Sequence, residues 1–292
     1  MAFCDFTLHR PDSVAEACRL GRDYGRDAAY MAGGTELLVD LRSGRKAVGH
    51  VIALGRLAEL REIRCDGDTL HIGALATLNE IAESPEVLER FRPLAEAIET
   101  MAGSQIRNLA TMGGNFSCGV PCSDTPPITC AAGGAIVLAG PDGEREVAAR
   151  NFVLAPRKTV LAPGEIVTAI RIPPQPATSG ANFQRFALRR GSALAVASVS
   201  AWLNVEHGVI TEARIVMGAV GPVPLFAERC AMAVAGESPG ETVFAAAGRI
   251  AAEEARPISD LRGNEQFRRD VVAVLARRAL ARAADLAEGR DR

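Results

Sequence analysis

The chain has 292 residues, of which 48% are hydrophobic and 23% charged, as expected for a globular protein long enough for two domains. Its formal net charge of -2 gives no electrostatic case for binding nucleic acid or an acidic membrane surface. Neither a signal segment nor an apolar run of roughly eighteen residues, the length of a membrane span, is found. We therefore expect a cytoplasmic protein without a membrane span.

The first half of the chain alternates predicted helices with short apolar strands, a pattern typical of α+β or α/β proteins. Ser13 is a good N-cap for a helix that should stop at Gly25. A longer helical stretch follows further on, with a break near Pro85. Strands are predicted over AAYMAGG, GHVIALG, TLHIGALA, GAIVLAG and EIVTAIRIP.

The segment PPQPATSG, residues 173–180, is the clearest break in composition. Proline and glycine there exclude a helix or a central strand, so we predict domains over residues 1–176 and 177–292. Beyond the break, LAVASVSAWLNVEHGVITEARIVMGAV predicts two or three antiparallel strands with a turn at His207-Gly208. From GETVFAAAGRIAAEEA onward the Ala-, Arg- and Glu-rich sequence predicts two helices on that sheet, with their charges on a solvated face.

Two glycine pairs, Gly33-Gly34 and Gly113-Gly114, each follow an apolar stretch and lie beside a threonine. Glycine can adopt positive φ and leave backbone N–H groups open to an anion. Two such strand-ending loops would suit a ligand with two phosphates, with the threonine hydroxyls as further donors. The motifs GxxxxGK(S/T) and GxGxxG are absent, which argues against a P-loop ATPase and an ordinary Rossmann site. Two structural turns are the alternative interpretation.

Several segments occur in the order found in one known family: AGGTELL, QIRNLATMGGN, SDTPP, RKTVLAPGEIVTAIRIP and FALRRGSALAVASVSAWL. Over nearly its whole length the chain resembles the FAD-binding medium subunit of molybdenum hydroxylases, the xanthine dehydrogenase family, which includes carbon monoxide and nicotinate dehydrogenases. The resemblance implies an α+β fold. A two-subdomain FAD-binding domain of the vanillyl-alcohol-oxidase (PCMH) type would precede a smaller C-terminal domain of antiparallel sheet and helices.

The resemblance also implies which residues would bind FAD. Residues 30–37 would hold one side of the pyrophosphate, and residues 111–115 the other. Asp124 would accept hydrogen bonds from the flavin's sugar-like chain, for which a carboxylate is well suited, although an Asx turn is the structural alternative. The implied cofactor-binding set is Tyr30, Met31, Ala32, Gly33, Gly34, Thr35, Glu36, Leu37, Met101, Thr111, Met112, Gly113, Gly114, Asn115, Asp124 and Leu161.

Two positions depart from the family's animal members. Met101 replaces an aromatic residue that stacks on the flavin ring, although methionine can still pack on an aromatic through its sulfur. The lysine that those members carry near the flavin, after an Arg-Arg pair, falls at about Val196. Without that cation we do not expect the NAD-binding surface of the animal enzymes.

Cys118, Cys122 and Cys130 form a cluster whose C-x3-C-x7-C spacing matches neither common zinc sites nor ferredoxins. One family branch, the 4-hydroxybenzoyl-CoA reductases, carries an extra 4Fe–4S cluster in this region, on an inserted loop that this chain lacks. Small apolar residues near the flavin or at a subunit contact are the alternative interpretation. A fourth cluster ligand would have to be Cys4, Cys18, Cys65 or Cys230.

The family implies an oxidoreductase subunit that does not itself hydroxylate substrate. A large subunit would oxidise the substrate at molybdopterin, and a small subunit would pass electrons through two 2Fe–2S clusters to FAD on this chain. NAD⁺, a quinone, a protein or oxygen would then accept them, within a dimer of heterotrimers. One-electron steps need no general acid or base, and we assign no catalytic residue. Alternatives are a self-sufficient FAD oxidase or dehydrogenase, a 4-hydroxybenzoyl-CoA-reductase-like subunit, and a scaffold without cofactor.

Overall fold

Three main sheets and a small two-stranded sheet are found along the chain in the computed structural model, which describes residues 5–189 and 191–290. Cys4, a candidate cluster ligand, and Arg190, part of one family segment, lie outside these ranges. No helix within the described ranges is long and apolar enough to cross a bilayer.

The N-terminal part is a three-stranded parallel sheet with a helix packed on it. That helix begins where the Ser13 hydroxyl accepts a hydrogen bond from the Glu16 N–H, and it ends at Gly25, where φ is +52°. Both predicted ends are confirmed. The elements are β1 (Thr7–His9), α1 (Val14–Tyr24), β2 (Ala28–Met31), α2 (Leu37–Ser43) and β3 (His50–Ala53), with sheet order β1-β3-β2.

The middle part combines a five-stranded antiparallel sheet with six short helices. The predicted break near Pro85 is confirmed, and a second break follows at Phe91, where the backbone leaves the helical conformation with φ of -155° and ψ of 63°. Its helices are α3 (Leu78–Glu83), α4 (Pro85–Arg90), α5 (Arg92–Glu99), α6 (Ser104–Arg107), α7 (Met112–Ser117) and α8 (Thr125–Ala131). The five strands of the sheet are β4 (Ile63–Asp66), β5 (Thr69–Gly73), β6 (Ala135–Gly140), β7 (Gly143–Ala148) and β10 (Ile166–Ile172), and β8 (Val153–Ala155) and β9 (Lys158–Thr159) pair in a separate two-stranded sheet.

The strand order of this sheet is β4-β5-β10-β6-β7. β10 lies at its centre, although it is the last of these five strands along the chain. Ile170 pairs with Ile72 on one side and with Ile136 on the other, and all three are fully buried. This row of branched side chains joins residues of α3, α5 and α7 in the largest core. α7, which carries the second glycine pair, is thereby held on the sheet.

The C-terminal part is a four-stranded antiparallel sheet covered by helices. The predicted turn is confirmed, since His207 and Gly208 both have positive φ. The predicted break in composition, residues 173–180, extends too far, because the first strand of this C-terminal sheet already includes Gly180. A side chain there would overlap the Ala283 carbonyl of the last helix, so glycine permits close packing. The elements are β11 (Ser179–Phe186), β12 (Ala197–Glu206), β13 (Val209–Gly218), β14 (Leu225–Phe226), α9 (Glu228–Val234), α10 (Glu241–Glu254) and α11 (Glu265–Ala287).

This last sheet is buried on both faces. Trp202 joins the core of the middle part, whereas Ala201 and Leu203 pack under the C-terminal helices. The middle and C-terminal parts therefore share a core across the predicted domain boundary at residue 176. The boundary itself stays a prediction. The architecture is α+β with a two-part N-terminal region and a smaller C-terminal sheet with helices, as predicted.

One charged side chain of the C-terminal helices is not on the predicted solvated face. Arg268 is buried, with 3% of its surface exposed. Its guanidinium donates to the Val196 carbonyl at 2.7 Å and to the Asp260 carboxylate at 2.7 Å. The partners come from loops whose positions the helical periodicity cannot show.

Candidate cofactor-binding cleft

A cleft of about 760 Å³ opens between the N-terminal part, the middle part and the loop that follows β11. It is the size of small-molecule and cofactor sites, which are about 300–1,000 Å³. All the residues predicted to bind a cofactor line it, with the exception of Met112. Met112 is fully buried in the core of the middle part, so its side chain holds α7 in place.

The first glycine pair lies in direct contact with the segment that leads to the second. A Cβ on Gly33 would overlap the carbonyl oxygen of Leu109, so only glycine permits this approach. Gly34 has φ of +74°, whereas Gly33 does not need positive φ. The structure therefore brings the two glycine pairs together in space.

The backbone N–H groups of the first pair are open. The N–H groups of Gly33, Gly34 and Thr35 have no acceptor among the described residues. The Gly34 carbonyl, in contrast, accepts from Leu38 and begins α2. Consecutive unpaired N–H groups at the wall of a cleft form an anion-binding concavity.

The second pair is not the strand-ending loop that was predicted. Gly113 and Gly114 lie in the first turn of α7, and Thr111 is its N-cap, accepting from the Gly114 N–H at 3.1 Å. The Gly113 N–H donates to the Ala74 carbonyl at 3.0 Å, and a Cβ there would lie 2.6 Å from that oxygen. These N–H groups are therefore used within the protein, because the glycines serve helix initiation and close packing.

Two side-chain donors remain on this second element. Thr111 uses its hydroxyl oxygen as a cap acceptor, which leaves its hydrogen free to donate. Asn115 accepts from the Thr125 hydroxyl at 2.7 Å through Oδ1, and its Nδ2 has no acceptor in the described chain. Both residues line the cleft.

Asp124 is the most unusual polar group of the cleft. It is 4% exposed, its Oδ2 accepts from the Arg185 Nε at 3.0 Å, and its Oδ1 has no partner among the described residues. It makes no capping bond to α8, so the Asx-turn alternative is not observed. Burial raises the pKa of Asp124 to about 6, with Arg185 acting in the opposite direction. A buried oxygen without a partner is suited to a ligand that brings its own donor.

Sequence reasoning missed Arg185, which lies on β11. Its side chain is 7% exposed, and losing one member of a buried ion pair costs about 3–5 kcal/mol, so the pair with Asp124 is a strong constraint. The signal available was the alternation FQRF. Phe183 points into the core, so a charge two residues later is expected to point inward as well and to need a partner.

Arg157 was missed as well. From the turn between β8 and β9 it donates to the Glu36 carboxylate at 2.7 Å and to the Asp40 carboxylate at 3.0 Å. Its φ of +60° is unusual for a residue with a side chain. The arginine thereby ties this hairpin to α2, next to the first glycine pair.

Three predicted residues differ in what they present to the cleft. The Tyr30 hydroxyl donates to the Ala17 carbonyl at 3.2 Å, so this side chain anchors β2 to α1. Met101, 6% exposed, and Leu161 supply apolar wall. Val196, where the animal members' lysine falls, is fully buried and does not line the cleft.

The cysteine cluster is divided by the fold. Cys118 and Cys122 line the cleft, whereas Cys130 is buried within α8, where burial raises its pKa to about 12. The Cys118 thiol donates to the Asn115 carbonyl at 3.2 Å. No group of three or more His, Cys, Asp or Glu side chains within residues 5–189 and 191–290 could hold a metal ion.

Two family models together match most of the chain. Residues 4–175 match the family model for the FAD binding domain in molybdopterin dehydrogenase, and residues 183–283 match the CO dehydrogenase flavoprotein C-terminal domain. The carbon monoxide dehydrogenase medium chain of Afipia carboxidovorans is 32% identical over 95% of this chain and 96% of that one. A putative xanthine dehydrogenase FAD-binding subunit of Escherichia coli K12 is 27% identical over 97% and 98%.

The fold agrees with these relatives. The solved carbon monoxide dehydrogenase of Hydrogenophaga pseudoflava, in a form lacking the Mo-pyranopterin moiety, superposes with a TM-score of 0.95 at 32% identity. The match covers 98% of this chain and 99% of that one. The chain therefore belongs to the family of FAD-binding medium subunits of molybdenum hydroxylases, and it is an oxidoreductase subunit whose cofactor is FAD.

Proposed function

We propose that this chain transfers electrons within a multi-subunit molybdenum-containing dehydrogenase. It would take them from 2Fe–2S clusters on a small partner chain and pass them to an external acceptor, while a large partner chain oxidises the substrate at molybdopterin. The observation that supports this most is the cleft itself, which combines open N–H donors at the first glycine pair with the unpartnered, buried oxygen of Asp124.

The cleft residues fit FAD in their chemistry. Open N–H groups suit a pyrophosphate, a carboxylate oxygen without a partner suits a hydroxyl-bearing chain, and the apolar surfaces of Met101 and Leu161 suit a flat ring. The cleft is also continuous across these groups, so one extended ligand can meet all of them.

The pyrophosphate would be held unequally by the two glycine elements. Gly33, Gly34 and Thr35 would donate backbone N–H groups to it. Thr111 and Asn115 would add side-chain donors, since the N–H groups of their own element are already used. The bound anion would thus be held mainly by backbone on one side and by side chains on the other.

Asp124 would orient the chain between the pyrophosphate and the ring. Its free Oδ1 would accept from hydroxyls, while Arg185 holds Oδ2 and fixes the plane of the carboxylate. When bound, FAD supplies the ring that accepts and gives up electrons, and the protein supplies binding and orientation.

The acids of the cleft do not favour a self-sufficient oxidase. The described lining contains no histidine, and every Asp or Glu in it forms an ion pair with arginine. Arginine contacts leave these acids little freedom to act on a substrate, and without a histidine the described lining shows no acid–base pair of the kind that general catalysis uses, as suits a subunit that transfers electrons only. The pairs are Glu36–Arg157, Asp40–Arg157, Asp124–Arg185 and Glu165–Arg145.

Purification of the tagged full-length chain with its native partners tests the proposal. We expect yellow protein that releases FAD on denaturation, together with two further chains, iron and molybdenum. In that complex, substrate of the large chain should bleach the flavin absorbance. A flavin-loaded chain that elutes alone and oxidises an organic substrate would instead establish the self-sufficient alternative, and protein that stays colourless after addition of FAD would rule out both.

A further inference from the structure

One guanidinium contacts three separate segments of the chain at or beside the cleft. Arg185 lies on β11, in the C-terminal part, and donates through Nε to the Asp124 carboxylate at 3.0 Å. Through Nη1 it donates to the Thr100 carbonyl at 3.2 Å, at the end of α5, and through Nη2 to the Ala193 carbonyl. Each acceptor comes from a different element of the fold.

Two of the three contacts are to residues that line the cleft, and the third is to the neighbour of one. Asp124 and Ala193 line it directly, and Thr100 precedes Met101, which also lines it. Arginine is suited to this arrangement because its planar fork presents donors in fixed directions, whereas lysine offers a single flexible ammonium group. The positions of these wall segments are therefore set together by one side chain.

Burial distinguishes this contact from a second ion pair that joins the middle and C-terminal parts among the described residues. The side chains of Arg185 and Asp124 are 7% and 6% exposed. Arg150 and Glu228 also join the middle and C-terminal parts, at 3.1 Å, but they are 55% and 64% exposed and do not line the cleft. An exposed pair contributes little, whereas a buried one constrains the groups around it.

We propose that Arg185 is a positioning residue through which the C-terminal part completes the FAD site. By fixing the Asp124 carboxylate, the end of α5 and residues 192–194 at once, it directs the free Asp124 oxygen toward the hydroxyl-bearing chain of the cofactor. The inference rests on FAD binding in this cleft. It assigns to the C-terminal part a direct role in cofactor affinity.

Titration of flavin-free, full-length protein with FAD, followed by flavin fluorescence, tests the role. Arg185→Met should raise the Kd for FAD about tenfold or more, because the Asp124 carboxylate loses a charge-assisted hydrogen bond. Arg185→Lys should fall between Arg185→Met and wild type, since it restores the charge but not the fork. Arg150→Met, which removes the exposed pair between the same parts, should leave the Kd unchanged.

A double-mutant cycle separates positioning from general support of the fold. If Arg185 acts through Asp124, Asp124→Asn should cost much less affinity in the Arg185→Met background than in wild type. Additive effects, or a wild-type Kd in Arg185→Met, would overturn the inference. Should Arg185→Met fail to fold, as judged by circular dichroism, the same cycle with Arg185→Lys decides in the same way. Absence of FAD binding by the wild type would count against the proposed function instead.

Discussion

The same dipeptide is used in opposite ways on the two sides of the cleft. At Gly33-Gly34 the glycines let the backbone approach Leu109 and leave N–H groups open. At Gly113-Gly114 the N–H groups are already bonded, to Ala74 and to the Thr111 hydroxyl. A glycine pair thus identifies a place where backbone comes close to something, but its neighbours decide whether its donors stay available to a ligand.

The largest effect is expected at Gly33. In Gly33→Ala the new methyl group would overlap the Leu109 carbonyl, which is backbone and cannot turn aside, so the two elements must separate. We expect no detectable FAD binding and a loss of stability of about 2–4 kcal/mol. FAD titration and chemical unfolding measure the two effects. Gly55→Ala is the matched control, because its Cβ would meet nothing within 4 Å.

Gly34→Val should have the next largest effect. Gly34 has φ of +74°, which a β-branched residue adopts only under strain. Strain of about 1–3 kcal/mol and a displaced N–H should raise the Kd for FAD roughly thirtyfold. Gly34→Asn should be milder, since asparagine tolerates the left-handed region. Equal occupancy of wild type and Gly34→Val would mean that this loop does not hold the cofactor.

The pH dependence of FAD affinity should come from Asp124 and not from the glycine pairs, whose N–H groups do not titrate. The pKa of Asp124 is raised to about 6, so the carboxylate is charged above that pH and protonated below it. Hydroxyl donors prefer the charged form, so affinity should be full at pH 7–8 and fall severalfold as the pH drops through about 6. Asp124→Asn should flatten this profile, whereas Gly34→Asn should keep it. An unchanged profile in Asp124→Asn would assign the titration to another group.

The smallest effect is expected at Thr111, on the second glycine element. Thr111→Val removes the cap of α7 and leaves the Gly114 N–H without its acceptor, which should cost about 1 kcal/mol of stability. The Kd for FAD should rise only a few fold, since one side-chain donor is lost. Thr111→Ser keeps the hydroxyl and should restore both thermal stability and affinity. A loss of affinity as large as that of Gly34→Val would show that the two elements contribute equally.

Sequence reasoning was most successful where the signal is local. The N-cap at Ser13, the stop at Gly25 and the hairpin turn at His207-Gly208 depend on the conformation of a few adjacent residues. The family segments likewise mark stretches that line one cleft. The second glycine pair was misplaced in a strand-ending loop because its helical turn depends on contacts with Ala74, distant in the chain.

The sequence alone predicted the fold class, the two glycine pairs and Asp124 as a cofactor-binding residue. Only the tertiary structure decided which N–H groups remain open and which arginine holds each acid. Arg185 meets a carboxylate 61 residues away, and Arg157 meets one 121 residues away. Such pairings depend on where strands and turns place side chains after the core has packed, because a charge leaves water for the interior only where a partner is already positioned.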